Sequence, residues 1–220
     1  MFNNIKGVIF DLDGTLIDSM WVWDQIDMEY LNEKNLDVPE NLADEIGHLS
    51  FNQVAVYFKE RFKLEDSLDE IKKRWSDMAY YHYSTDIKLK EGVVEFLQYL
   101  KKSNIKIGLA TSNSHALLEV VLKNNNIYNY FDAITITDEV SVGKHEPDVY
   151  LLAAKKLGVP PNECLVFEDI AQAIKGAKKA GMKVVGVADS RSLNDRDEII
   201  SLTDKFITNF NEIIPEKILN

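Results

Sequence analysis

Gly7-Val8-Ile9-Phe10-Asp11-Leu12-Asp13-Gly14-Thr15-Leu16 is the stretch on which the reading of this chain turns. Gly7 to Phe10 is short and without a polar residue, the pattern of a strand buried on both faces of a parallel sheet. Its carboxyl end carries two carboxylates, one residue apart, into the crevice where open α/β sheets bind ligands. Side chains at i and i+2 share a face while the strand continues, and Gly14 lets the backbone turn away. Carboxylates that close repel unless they share a proton or a cation. Mg²⁺ suits such a place, being a hard cation that takes oxygen ligands and keeps several waters. Asp and Gly are also ordinary loop formers, so the meaning of the pair depends on what else reaches the same edge.

Downstream, the pattern alternates. Glu91 to Lys102 has helical spacing, with Val93, Val94, Phe96, Leu97 and Leu100 apolar, and Ile105 to Ala110 reads as a strand. Ser114 to Asn125 is helical with Ser114 as N-cap, and Ala133 to Ile136 is a short strand. Glu146 to Leu157 is a helix stopped by Gly158 and two prolines. Cys164 to Phe167 is a strand, Ala171 to Ala180 a helix and Lys183 to Val187 a strand. This alternation predicts an α/β fold: a Rossmann-like, doubly wound parallel sheet with helices on both faces. Between Ile17 and Thr85 it is broken by three helical segments, around Trp21 to Lys34, Phe51 to Arg61 and Leu68 to Tyr83. Residues 17–85 are therefore expected to form an all-helical cap inserted into a core made of residues 1–16 and 86–220, a lid of the kind that closes on a ligand and excludes water. Ile213 to Asn220 is expected to be a loosely ordered tail.

Parallel strands bring their carboxyl ends to one edge, however distant in sequence. The first supplies Asp11 and Asp13. The strand ending at Ala110 supplies Thr111, Ser112 and Asn113; Lys144 follows the strand near Ile136, and Glu168 and Asp169 follow the strand ending at Phe167. Four carboxylates, a lysine and a hydroxyl cluster suit phosphoryl transfer, in which catalysis is chiefly positioning and charge neutralisation. Asp11 is expected to be the nucleophile, and Asp13 the acid that protonates the leaving oxygen and then the base that accepts a proton from water. Thr111, Ser112 and Asn113 are expected to bind phosphate oxygens, with Lys144 neutralising both Asp11 and the phosphoryl group. Glu168 and Asp169, with Asp11 and the neighbouring Asp13, form the expected Mg²⁺ ligand set. Taken singly, Lys144 would pass for a solvated loop charge and Thr111-Ser112-Asn113 for a helix cap. Two charges directly after a buried strand need partners.

Composition narrows the partners. The 220 residues are 45% hydrophobic, enough for a sizeable core, and carry a net charge of -11. That balance disfavours nucleic acid and anionic membrane surfaces, and no basic cluster offsets it. No segment has the ~18 consecutive apolar residues of a membrane span. A lone Cys164 excludes an intramolecular disulfide and, inside a strand, is expected to be buried and inert. The expected setting is cytoplasmic and the expected partner a small phosphorylated metabolite, with a monomer favoured.

With these motifs in place, the chain resembles the haloacid dehalogenase-like hydrolase superfamily over essentially its whole length. The matching segments are DLDGT at Asp11–Thr15, LATSN at Leu109–Asn113, GKHEPDVY at Gly143–Tyr150 and FED at Phe167–Asp169, followed by an Ala/Gly-rich helix ending at Gly181. The early helical insertion is similar to that of the β-phosphoglucomutase and phosphoglycolate phosphatase branch. The resemblance implies a Rossmann-like core, Mg²⁺ dependence and a phosphorylated small-molecule substrate. There are departures. Ile170 stands where the fourth motif commonly has serine, and Ala173 where it has glycine. Trp21-Val22-Trp23 occupies a region where relatives of β-phosphoglucomutase usually carry a histidine, and no arginine lies near Gly47-His48-Leu49-Ser50. These absences count against a sugar-phosphate mutase, the second function considered. A signalling receiver shares the acid, hydroxyl and lysine set but lacks a helical insertion after its first strand, and the complete catalytic set argues against a regulatory descendant of an enzyme. Trp21, Trp23, His48 and Phe51 are the candidates for substrate specificity in the cap, although for Trp21, Trp23 and Phe51 taken singly packing between helices is the commoner role, and for His48 a place in a loop.

Overall fold

The computed structural model describes residues 4–46, 49 and 51–215. The chain divides into two compact units, Met1–Met20 with Ile87–Asn220, and Trp21–Asp86.

In chain order the first elements are β1 (Gly7–Phe10), β2 (Ile17–Asp18), α1 (Val22–Glu33), α2 (Leu42–Ile46), α3 (Phe51–Arg61), α4 (Leu68–Thr85) and β3 (Lys88–Leu89). Next come α5 (Val93–Lys102), β4 (Lys106–Thr111), α6 (His115–Asn124), β5 (Ala133–Ile136), α7 (Asp148–Leu157) and β6 (Cys164–Glu168). The chain continues through α8 (Ala171–Lys179), β7 (Lys183–Val187), α9 (Arg196–Leu202) and β8 (Lys205–Ile207).

The first unit is built on a six-stranded sheet in the order β5-β4-β1-β6-β7-β8, every neighbouring pair parallel. β1 is central and wholly buried, which is why its sequence runs apolar without alternation. Chain progress reverses across it: β4 and β5 build one side, β6 to β8 the other. This reversal opens a crevice at the strands' carboxyl ends. On one face, Phe10, Phe96, Phe167 and Phe210 pack with ring centroids 5.0 to 6.1 Å apart. Each ring is fully buried, worth roughly 1.5–3 kcal/mol apiece. On the opposite face, Ile9, Val166 and Val184 pack with Val149, Tyr150, Ala153 and Leu157 of α7 and Ile174 and Ala177 of α8. The sheet is thus covered on both faces, the doubly wound arrangement expected. Beside it, Ile17 and Asp18 pair antiparallel with Leu89 and Lys88.

The second unit contains α1 to α4. Its core is aromatic: Trp75 lies 5.7 Å from Tyr30 and 4.9 Å from Phe58, with Ile26, Ala55 and Ile71 also buried. α4 begins in a capping box, Ser67 accepting the Glu70 N–H and the Glu70 side chain accepting that of Ser67. No helix among the described residues is long and apolar enough to cross a membrane.

Three local expectations differ from the structure. The helix expected from Glu146 begins at Asp148, with Pro147 at its N-cap. α2, α9 and β8 were not anticipated, because five, seven and three residues are too short to show a period. Ile213 and Ile214, expected in a loose tail, are buried beside Phe210; 216–220 lie outside the described residues.

Candidate active site

Asp11 directly follows β1, Thr111 ends β4, and Glu168 ends β6 with Asp169 next. Parallel registry between β1 and β6 sets Phe10 against Phe167, so the acidic pairs that follow each strand start level. Lys144 comes from the loop before α7, and its backbone is seated on α8. A Cβ at Gly176 would overlap the Lys144 carbonyl oxygen and lie 2.9 Å from that of Glu146. Only a residue without a side chain allows this approach.

The ammonium of Lys144 donates to Asp11 Oδ1 at 2.6 Å and pairs with Glu168 Oε1. Tyr150 OH donates to the same Glu168 oxygen at 2.8 Å. Asp169 accepts from Thr15 Oγ1 at 2.9 Å, a contact bridging 154 residues. Asp11, Glu168 and Asp169 each offer a carboxylate oxygen, all within 4.8 Å of one another, and all three residues are buried.

Such a cluster is electrostatically short of positive charge. Burial, with the charge of Asp11, pushes Glu168 up to about 7 against the pull of Lys144 and Tyr150. Burial also raises Asp169 well above the ordinary carboxylate range, with Asp11 and Glu168 adding to it. Burial opposes the charge on Lys144, but Asp11 and Glu168 more than offset that and raise it above the usual lysine range. Tyr150 is raised by burial and by the negative charge of Glu168, so it stays a donor. Three buried carboxylates facing one ammonium, with oxygen-only donors, fit a hard divalent cation.

Asp13 stands apart from this group. Its two oxygens accept from Ser19 Oγ at 2.7 Å and Asn113 Nδ2 at 2.8 Å, and its side chain is only partly buried. The carboxylates that approach within 4.8 Å of one another are those of Asp11, Glu168 and Asp169, and the Asp13 carboxylate is not among them. Thr111 is buried and its hydroxyl accepts the Asn113 N–H at 3.0 Å, while Ser112 is exposed at the mouth of the same turn. Asn113, expected at phosphate, has its amide engaged by Asp13 and its carbonyl by the Ser114 N–H.

A family model described as haloacid dehalogenase-like hydrolase matches residues 8–187. The chain belongs to the haloacid dehalogenase-like hydrolase family. A curated relative, the phosphorylated carbohydrates phosphatase of Thermotoga maritima, is 30% identical over 98% of this chain and 97% of its own length. The β-phosphoglucomutase of Bacillus subtilis is 29% identical over 90% of each. Among solved structures, a HAD hydrolase of family IA, variant 3, from Entamoeba histolytica superposes with a TM-score of 0.77 at 28% identity, covering 98% of both chains. Phosphatases and a β-phosphoglucomutase are thus both among the relatives of this haloacid dehalogenase-like chain.

Within this haloacid dehalogenase-like site, sequence reasoning missed Ser19, Thr15 and Tyr150 as partners of the carboxylates. Thr15 and Tyr150 sit inside recognised motifs, so their position was a usable signal; Ser19 had none. Ile170, replacing the motif serine, gives α8 no side-chain cap and is 47% exposed, whereas Ala173 is buried. Cys164 is buried with its thiol pushed up to about 11 by burial, as an inert residue should be. In the helical unit, Trp23 meets Phe51 edge-on at 5.9 Å, Phe51 meets Trp75 at 5.6 Å, and Trp21 meets His82 at 5.6 Å. Trp21, Trp23 and Phe51 nevertheless remain partly exposed; His48 lies outside the described residues.

Proposed function

We propose that the protein is a Mg²⁺-dependent phosphatase that hydrolyses a small phosphorylated metabolite, with the phosphoryl group carried transiently on Asp11. The observation that carries this reading is the division of labour between two aspartates. Asp11 is clamped by Lys144 beside Glu168 and Asp169, whereas Asp13 accepts from Ser19 and Asn113. The Lys144 ammonium, 2.6 Å from Asp11 Oδ1, fixes the orientation of the carboxylate that would attack phosphorus. As the bond from Asp11 to phosphorus forms and the ester bond breaks, Asp13 gives its proton to the departing oxygen. It then takes a proton from the water that attacks the aspartyl-phosphate, and Asp11 is regenerated with inorganic phosphate as product. Ser19 and Asn113 hold the Asp13 carboxyl in one orientation through both transfers. Thr111 and Ser112, with amides of their turn, are the candidates for the non-bridging phosphate oxygens, and Asn113 acts there through the Thr111 hydroxyl that accepts its N–H. Asp11, Glu168 and Asp169 would hold Mg²⁺, which supplies charge neutralisation for the phosphoryl oxygens.

The Thermotoga relative's action on phosphorylated carbohydrates makes sugar phosphates the first esters to try. The deciding experiment offers the purified protein a panel of sugar and polyol phosphates with Mg²⁺, together with β-glucose 1-phosphate plus a bisphosphate activator. Stoichiometric release of inorganic phosphate is expected, without formation of glucose 6-phosphate. Rapid isomerisation with little phosphate release would replace this reading with the mutase.

A further inference from the structure

A second buried ion pair, Lys90 with Asp189, lies outside every group given a role above. Their side chains are 12% and 2% exposed and approach at 2.9 Å. An ammonium has three protons to donate. Lys90 uses them on three acceptors: Asp189 Oδ2, the Ala188 carbonyl at 2.7 Å and the Gly14 carbonyl. Ala188 and Asp189 directly follow β7; Gly14 belongs to the turn after β1. A side chain at the start of the chain's return to the sheet thus ties together two loops at the carboxyl ends of different strands. Its own backbone is tied to the same turn, the Lys90 N–H donating to the Leu16 carbonyl at 2.9 Å.

Stability alone gives little reason for the pair. Removing two charges from water costs several kcal/mol, and apolar residues of similar volume commonly serve as well or better. What the pair does supply is a fixed Gly14 peptide. Gly14 has φ of +79°, and a Cβ there would collide with the Asp169 carboxylate. Its peptide is therefore confined by Asp169 on one side and by the Lys90 ammonium on its carbonyl. Its neighbours are Asp13, held by Ser19 and Asn113, and Thr15, whose hydroxyl reaches Asp169.

We infer that Lys90, fixed by Asp189, is a positioning residue that acts through the Gly14 carbonyl to hold Asp13 where it can protonate the leaving oxygen. The inference rests on the acid–base role proposed for Asp13, and the test separates the two. General-acid help matters for a poor leaving group such as a sugar alkoxide and little for p-nitrophenolate. Values of kcat/KM, which report the steps up to departure of the leaving group, are compared for p-nitrophenyl phosphate and the best sugar phosphate of the panel. Asp13→Asn should lose about a hundredfold or more on the sugar phosphate and only a few-fold on the aryl ester. Lys90→Met should show the same selectivity, with a loss of roughly 10- to 100-fold on the sugar phosphate, the scale expected for displacing a catalytic group by about 1 Å. Asp189→Asn keeps the shape of its site and should show the same pattern in weaker form; it decides the matter if Lys90→Met does not fold. Equal losses on both esters, or none, in Lys90→Met and Asp189→Asn would overturn the inference while leaving Asp13 its role. A non-selective Asp13→Asn would bring down both.

Discussion

Asp11 and Asp13 stand two residues apart, yet their surroundings differ sharply, as the roles proposed for them require. Asp11 is buried beside an ammonium; Asp13 is partly exposed and faces a hydroxyl and an amide. Replacing Asp11 by Asn keeps shape and removes the attacking charge. Turnover of every ester should fall by about a thousandfold or more, with circular dichroism unchanged. Wild-type rates in that variant would end the aspartyl-phosphate reading. At this scale the sequence was most legible where charge follows an apolar run, as at Asp11 and Glu168-Asp169, since buried charges demand partners. Ser19 was not legible, because nothing in its local sequence marks a hydroxyl that will meet the Asp13 carboxylate.

At the scale of elements, the two edges of the sheet are finished in the same way. Asp132 immediately precedes β5 and Asp204 immediately precedes β8. The Asp132 N–H donates to the Ile107 carbonyl at 2.7 Å, while its carboxylate accepts the Ile107 N–H at 2.8 Å. Asp204 repeats this with Val184, at 2.8 and 2.7 Å. Burial opposes both charges, but the strand N–H and a nearby lysine, Lys101 or Lys178, outweigh it and hold both carboxyls below the ordinary range. A depressed folded-state value contributes stability above the unfolded value of 3.8, lost as pH falls through the folded one. Asp132→Ala and Asp204→Ala should each cost about 1–2 kcal/mol at neutral pH, nearly additively in the double variant. Urea midpoints should show the penalties shrinking below pH ~3.8; constant penalties from pH 7 to pH 2 would contradict this account. The long central strands were evident from apolar runs. β8 was not, for three residues anchored by a preceding aspartate carry no periodic signal, and the burial of Ile213 and Ile214 is a matter of tertiary packing that no local pattern announces.

Taken as a whole molecule, the protein carries a net charge of -11 and gathers three buried carboxylates in one place. Folding such a cluster is unfavourable unless a cation joins it, so metal binding and stability should be linked. Dialysis against a chelator should abolish turnover, and Mg²⁺ should restore it. Mg²⁺ at a hundredfold excess over its Kd should also stabilise the fold by about 2–3 kcal/mol, a gain read from thermal melting and absent in Asp169→Ala. Undiminished turnover after exhaustive chelation would defeat the cation assignment. That the fold class was readable throughout reflects how regularly helix and strand alternate after Glu91.

The central place of β1 bears on how the protein is made. Its neighbours β4 and β6 are both synthesised after it, and 154 residues separate Thr15 from the Asp169 carboxylate it meets. At ribosomal speeds of about 5–20 residues per second, roughly 8 to 30 seconds pass between the two. Until β4 emerges this apolar strand has both edges unpaired, and one edge stays open until β6 follows, a natural client for a chaperone. Asp11 is among the earliest residues of the site to exist, and it is without Glu168 and Asp169 until the sheet is nearly complete.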